Sequence, residues 1–341
     1  MLIDLINPYA WGMRLRRALY RSGLLRSYHI DIPVIAIGNL SSGGTGKTPL
    51  TLYLTCILEE KYHKKVGIVL RGYKRDTTGQ IIVQSQGELL ASPAESGDEA
   101  QLYAKEFPNA IVICDEDRVR GAQKARELGA EVVLLDDAYQ HLRIKRDLNI
   151  LLVNGLEGVT AVIPFSKGRE TIAAADDADM IIITNADNAK TGFRNALISA
   201  TSKTILCSNI EITGFENLTD PHADIAHHSL HHQTVLVLSG LGNPEAFECS
   251  VFPLVRGLVS YRLPDHASYD TTIVDEIVRF AKKNNCTSII TTTKDAVKLS
   301  EVFKNTEAPE IPFLIAHSQL VITEGNEQLL SLIENVLKIT K

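Results

Sequence analysis

The chain is short of cysteine, has a single tryptophan, carries no basic excess and contains no long apolar run. Its 341 residues hold five cysteines (Cys56, Cys114, Cys207, Cys249, Cys286), an odd number, far apart and without a C-x-x-C pair. That usage does not build a disulfide framework, and it predicts reduced core thiols in a cytosolic protein. A net charge of -6 leaves no basic footprint of the kind nucleic acid requires. No apolar stretch reaches the roughly 18 residues of a transmembrane helix, and the N-terminus lacks the apolar core of a signal peptide. With 45% apolar residues at this length, the composition predicts a globular protein of about two domains.

What is present begins with Ser41-Ser42-Gly43-Gly44-Thr45-Gly46-Lys47-Thr48, directly after the apolar run Ile32 to Ile37. A buried strand, a loop of small residues and then a helix aim backbone N–H groups and a helix N-terminus at one point, which stabilises a phosphate. Lys47 is placed to reach the β/γ-phosphates and the Thr48 hydroxyl to ligate Mg2+. Ser41 stands where G-x-x-x-x-G-K-[ST] has its first Gly, and Gly43 and Gly44 offer the missing freedom instead. The bland alternative is an ordinary glycine-rich turn, against which Lys-Thr follows the last Gly in register.

Further apolar runs, Val66 to Leu70, Ala110 to Ile113, Val132 to Leu135, Ile150 to Val153 and Met180 to Ile183, alternate with helical patterns over 48–60, 98–106, 117–128 and 189–200. Continuous apolar strands of this kind belong to a parallel sheet covered on both faces. The expected fold is therefore α/β, a P-loop NTPase-like parallel sheet with helices on both faces, plus a second smaller α/β domain. The expected divisions are a basic amphipathic helix at 1–28, a P-loop domain at 29–206, a linker at 207–233 and a C-terminal α/β domain at 234–341. Residues 11–28 carry Arg14, Arg16, Arg17, Arg21 and Arg26, no acid, and interleaved Trp11, Leu15, Leu19, Leu24 and Leu25. Such a helix suits an anionic bilayer surface or packs on its own domain with a solvated arginine face. His227, His228, His231 and His232 lack carboxylates or cysteines at ligand spacing and read as a surface tract.

The second nucleotide signal is Val132-Val133-Leu134-Leu135-Asp136-Asp137. An apolar strand ending in Asp supplies the carboxylate that holds Mg2+ beside a phosphate loop. Asp136 takes that role, and Asp137 adds to metal or substrate positioning. Asp98, in Gly97-Asp98-Glu99 ahead of an apolar-periodic stretch, reads on its own as a helix N-cap. Two decoys accompany these. Gly240-Leu241-Gly242-Asn243-Pro244-Glu245 resembles a dinucleotide fingerprint whose third Gly is replaced, and is read as a turn near the nucleotide. Thr184-Asn185-Ala186-Asp187 resembles a guanine-reading motif without its lysine.

Set in order, G-N-x-x-x-G-G-T-G-K-T-P at 38–49, R-G-Y at 71–73, G-D-E at 97–99, D-R at 117–118, D-D-x-x-Q-H at 136–141, G-x-G-N-P at 240–244, D-H at 265–266 and T-K-D-A-V-K-L at 293–299 resemble the tetraacyldisaccharide 4'-kinase family, the lipid A 4'-kinases of Gram-negative bacteria. The resemblance covers nearly the whole chain. It implies transfer of the ATP γ-phosphate to the 4'-hydroxyl of a lipid A disaccharide 1-phosphate. It further implies a cytoplasmic protein peripheral to the inner membrane through the N-terminal helix, with no obligate protein partner evident. Asp98 becomes the candidate base, His266 an auxiliary catalytic residue and Asp265 its orienter. Arg118, Arg169 and His141 fall at positions near substrate or the transferred phosphate, with Arg71, Tyr73 and Gln140 beside them. The rival reading is a P-loop GTPase or ATPase switch without a lipid acceptor. A switch protein carries a Gly after the Walker-B Asp, where this chain has Asp137-Ala138-Tyr139-Gln140-His141.

Overall fold

Short apolar runs with no polar face to offer water become the central strands of the first unit, with more polar strands at its edges. They are Val34–Asn39 (β1), Val66–Leu70 (β2), Ile81–Ser85 (β3), Glu88–Leu89 (β4), Ile111–Cys114 (β5), Val132–Leu135 (β6), Leu148–Asn154 (β7), Met180–Thr184 (β8) and Thr204–Asn217 (β9). The computed structural model describes residues 7–41, 44–158, 162–164, 166–220, 230–264, 267–304 and 309–339. It divides into two compact units, Met1–Asn209 with Ile322–Lys341, and Ile210–Val321.

In the first unit the strands run in the order β9-β8-β7-β1-β6-β2-β5-β3-β4. From β9 to β5 the pairs are parallel, and at the edge β3 runs antiparallel to both of its neighbours, β5 and β4. β1, β2 and β5 to β8 are buried along their whole length, as a sheet covered on both faces demands. β1 lies at the centre, with Ala36 opposite Leu135 of β6 and Gly38 opposite Leu151 of β7. This register brings the segments that leave the C-terminal ends of β1 and β6 side by side, the place where open α/β sheets bind ligands.

The helices of this unit before β9 are Pro8–Arg21 (α1), Lys47–Cys56 (α2), Pro93–Ser96 (α3), Asp98–Glu106 (α4), Arg118–Glu127 (α5) and Phe193–Ala200 (α6). α1 starts where the Asn7 side chain caps Tyr9 N and Ala10 N, with Pro8 in the first turn. It stops at Arg21, because Ser22 and Gly23, at φ +76°, break the helix; the arginine-rich helix expected to reach residue 28 is shorter. α2 passes into a π-helical turn at Ile57–Lys61. α6 begins only after Gly192, at φ +75°, rather than at residue 189.

The second unit carries Thr234–Ser239 (β10), Gly257–Arg262 (β11), Ser288–Thr292 (β12) and Phe313–Glu324 (β13), whose last residues return to the first unit. They run parallel in the order β11-β10-β12-β13, with helices Pro244–Val251 (α7), Thr271–Lys283 (α8) and Thr293–Phe303 (α9). Leu236, Leu238, Ile277, Ile289, Leu299 and Phe313 form one of its buried clusters. The second half of β9, expected as linker, belongs to this unit and lies beside β13, where Thr213 Oγ1 donates to His317 O across 3.3 Å. The C-terminal helix Asn326–Ile339 (α10) is counted with the first unit, not with the C-terminal domain in which the sequence placed it. Tyr53 and Tyr62 hold it there, donating to Asn326 Oδ1 at 2.9 Å and Glu334 Oε1 at 3.1 Å.

Candidate active site

The loop after β1 is positioned by three small-residue fits. Asn39 Nδ2 donates to Thr45 Oγ1 at 2.6 Å, and Thr184 Oγ1 donates to Thr45 O at 3.1 Å. Gly46 adopts φ +86° as the residue before α2, a conformation that favours glycine. Lys47 and Thr48 then open α2, so the helix N-terminus faces out of the loop. Ser41 pairs by a bridge with Gly168; Ser42 and Gly43 lie outside the described residues.

Asp136 and Asp137 leave β6 beside that loop in opposite electrostatic circumstances. Asp136 is buried, accepts the Tyr103 hydroxyl at 2.7 Å on Oδ2, and has no hydrogen-bond partner on Oδ1. Burial pushes its carboxyl up, against the Tyr103 hydrogen bond and the Lys47 charge. Asp137 sits at φ +48°, in the left-handed region that a residue with a side chain occupies only when its surroundings hold it there. Arg169 Nη1 donates to both Asp137 oxygens, at 2.9 and 3.0 Å, and Lys47 Nζ stands 3.7 Å from Oδ1. Burial again opposes the charge, but Lys47 and Arg169 outweigh it and hold the Asp137 carboxyl below its ordinary range.

α4 brings the G-D-E sequence to the same place. Gly97, not Asp98, occupies the N-cap position, at φ +83°, and a Cβ there would meet Tyr73 O at 3.0 Å. The R-G-Y and G-D-E motifs are thus in backbone contact. Asp98 is the first helical residue and is exposed, so the capping role read from the sequence is not the one it takes. Glu99, passed over as a site residue in the sequence, accepts the Thr48 hydroxyl at 3.3 Å and ties α4 to the phosphate loop. Its place in a motif shared with Asp98 was the available signal.

A cationic group lies behind the carboxylates. Asp117 caps α5 through Val119 N and Arg120 N, and Arg118, 2% exposed, donates to Asp115 O and, at 3.3 Å, to Asp136 O, with its Nε unpartnered. Arg118 therefore braces the Asp136 backbone with its guanidinium buried. Burial and the nearby Arg118 charge, with further contributions from Arg16 and Arg71, bring the His141 imidazole down to about 4, so it is neutral near pH 7. Gln140 Nε2 donates to Asn39 O at 2.7 Å. Arg71 and Tyr73 are exposed.

The decoys resolve structurally. Asn185 is buried and donates to Asn154 Oδ1 at 3.1 Å, while Thr184 supports the phosphate loop, so this segment serves the loop's geometry. Gly240 is glycine because a Cβ would stand 3.0 Å from Asp295 Oδ1, and its N–H donates to Asp295 Oδ2 at 3.0 Å. Asp295 belongs to T-K-D-A-V-K-L, and Lys298 of the same motif donates to Ala267 O at 3.0 Å. That motif fastens the loops around Gly240 and Ala267; Asp265 and His266 lie outside the described residues. His231 and His232 are exposed, His227 and His228 are also outside, and the described residues include no cluster of three or more metal-ligating His, Cys, Asp or Glu side chains. The five cysteines are free, and no described helix is long and apolar enough to cross a membrane.

Comparison with known proteins bears on this geometry. The family model described as tetraacyldisaccharide-1-P 4'-kinase matches residues 1–338. The tetraacyldisaccharide 4'-kinase of Desulfotalea psychrophila is 32% identical over 335 residues, covering 96% of this chain and 94% of the relative. That of Pelobacter propionicus is 34% identical over 341 residues, covering 95% and 90%. Among solved structures, LpxK from Aquifex aeolicus in complex with ATP superposes with a TM-score of 0.71 at 30% identity, covering 96% of each chain. Full-length likeness in sequence and fold, around a phosphate loop flanked by paired aspartates, means that the chain belongs to the tetraacyldisaccharide-1-P 4'-kinase family.

Proposed function

We propose that this chain uses Mg2+ and ATP to phosphorylate the 4'-hydroxyl of a tetraacyldisaccharide 1-phosphate, working on the cytoplasmic face of the inner membrane. The observation that carries the reading is Asp137 held at φ +48° between Lys47 and Arg169 at the phosphate loop. Phosphoryl transfer needs charge neutralisation and alignment more than covalent chemistry, and two cations at the end of a phosphate loop supply both. Lys47 reaches the β/γ-phosphates, the loop N–H groups hold the triphosphate, and Arg169 meets the charge that spreads over the transferred group. The ATP complex of the Aquifex aeolicus relative supports the choice of nucleotide.

The donor set fits a hard divalent cation. Asp136 Oδ1 is buried and without a partner, and Thr48 and Asp137 offer further oxygens. Thr48, Asp136 and Asp137 would hold Mg2+ there, and the ion would supply positive charge against the charge of the transferring phosphoryl group. Asp98, at the start of α4 beside the Thr48–Glu99 contact, takes the proton of the attacking hydroxyl. Arg71, Tyr73, Gln140 and His141 face the acceptor, and Asp265 and His266 assist by resemblance alone. The acceptor is a lipid, and α1 exposes Tyr9, Trp11 and Leu15, with Leu24 and Leu25 following, among exposed Arg14 and Arg21, which suits an anionic membrane surface.

The test is ATP labelled on the γ-phosphate, incubated with Mg2+, enzyme and the lipid disaccharide. Label on the 4'-position is expected. Label found solely as free phosphate, with none on lipid, would favour the switch-protein reading. Asp98→Asn should lower kcat by at least about 100-fold with ATP binding kept; near-normal turnover removes it as base.

A further inference from the structure

α1 carries one arginine that its exposed apolar side does not explain. Arg17 is 5% exposed and lies about 200° around the helix from the exposed Leu15. Its Nε and Nη2 face the carboxylate of Glu170, itself 3% exposed, with Nη2 2.8 Å from Oε1, while Nη1 meets Asp177. The guanidinium also sits over the Tyr139 ring, 4.9 Å from its centre. Burial works against this charge, and the two carboxylates overcome it. An arginine that leaves water for such a pair is held in one place.

Each partner adjoins the transfer site. Glu170 follows Arg169, the residue that grips Asp137, and the backbone N–H groups of both donate to Leu40 O, at 2.6 and 3.2 Å, at the entrance to the phosphate loop. Tyr139 lies two residues beyond Asp137, and a Cβ on Gly38 would stand 2.7 Å from it. The neighbouring Arg16 donates to Gln140 O at 3.1 Å. One face of α1 therefore touches the segment after each member of the Asp137–Arg169 pair.

We propose that Arg17 is a positioning residue for phosphoryl transfer: through Glu170 and Tyr139 it fixes the Arg169–Asp137 pair beside Lys47, so that α1 is part of the catalytic framework as well as a membrane contact. This rests on the reading of Arg169 and Asp137 as transfer-site residues. A group that moves by a fraction of an ångström in such a site loses alignment, so the effect falls on turnover more than on nucleotide affinity.

The experiment uses full-length protein carrying Arg17→Met, Arg17→Lys, Glu170→Gln, Arg169→Ala and the Arg17→Met/Arg169→Ala pair. Each is assayed for kcat, KM for ATP, far-ultraviolet circular dichroism and cosedimentation with phosphatidylethanolamine–phosphatidylglycerol vesicles. Arg17→Met and Glu170→Gln are expected to lower kcat about 10-fold or more, with KM for ATP and vesicle binding within about 2-fold of the parent, and Arg17→Lys to recover part of the loss. The double variant should be no slower than Arg169→Ala alone, because both act through one group. Folded Arg17→Met or Glu170→Gln with turnover within about 2-fold of the parent, or losses that multiply in the double variant, overturns the proposal. Should Arg17→Met not fold, Glu170→Gln decides by the same criteria. Undiminished kcat in Arg169→Ala would instead remove the underlying site assignment, a different result from a slow Arg169→Ala beside a normal Arg17→Met.

Discussion

Tyr103 donates its hydroxyl hydrogen to Asp136 Oδ2 across 2.7 Å, with both side chains shut away from solvent. The bond favours the ionised carboxyl, while burial, the larger influence, raises it above the ordinary Asp value. Tyr103→Phe removes the favourable influence and leaves the carboxylate without its hydroxyl donor. The raised group then needs a higher pH to ionise. Tyr103→Phe is therefore expected to cost about 1–3 kcal/mol of stability near pH 7. A urea titration of both proteins checks the loss.

Gly38 has no room for a side chain: a Cβ would stand 2.7 Å from both Cβ and N of Tyr139. The obstacle is backbone, which cannot swing aside, so Gly38→Ala pushes apart β1 and the segment that follows Asp137. The expected cost is about 1–3 kcal/mol of stability together with loss of activity. Equilibrium denaturation and the kinase assay, run on the same preparation, measure it; an unchanged midpoint would show that the segment yields easily.

The same residues show how much a sequence discloses. The parallel strands are legible because a strand buried on both faces must be a continuous apolar run, as β1, β2 and β5 to β8 are. β11, Gly257–Arg262, is only partly buried and mixes Ser, Tyr and Arg among its apolar residues, so no comparable run announces it. The phosphate loop, and the place of Asp136 directly after β6, are legible because phosphate chemistry fixes both residue type and order. Glu99 is not, since its contact with Thr48 joins residues 51 positions apart. Arg118 illustrates the opposite difficulty. An arginine reads as a surface cation, and only the fold shows it buried under Asp136. Arg17 is hidden in the same way within a helix whose composition speaks mainly of membranes.

Trp11, 56% exposed, and Leu15, 62% exposed, are one helical turn apart on α1, away from the Arg17 contact. Replacing both by Glu removes apolar area and adds charge that anionic lipid repels. Cosedimentation with phosphatidylglycerol-containing vesicles should fall at least about 10-fold, while the melting temperature changes little because neither side chain is buried. Undiminished sedimentation would place the membrane contact elsewhere.

His141 gives a pH dependence whose sign is fixed. Its imidazole is brought from 6.5 down to about 4, first by burial and then by Arg118. The unfolded chain therefore binds this proton at a pH where the folded chain refuses it. Stability from this group is full above about 6.5 and is lost as pH falls towards 4. Between pH 7 and 5 the loss amounts to about 1–2 kcal/mol. His141→Asn keeps a polar side chain of similar reach without a titrating proton, so its stability should decline less over that interval, by about the same amount. Urea denaturation of parent and variant at the two pH values isolates the difference, since every other titrating group is shared. Parallel curves would mean that His141 is hydrated and protonates freely in the folded protein.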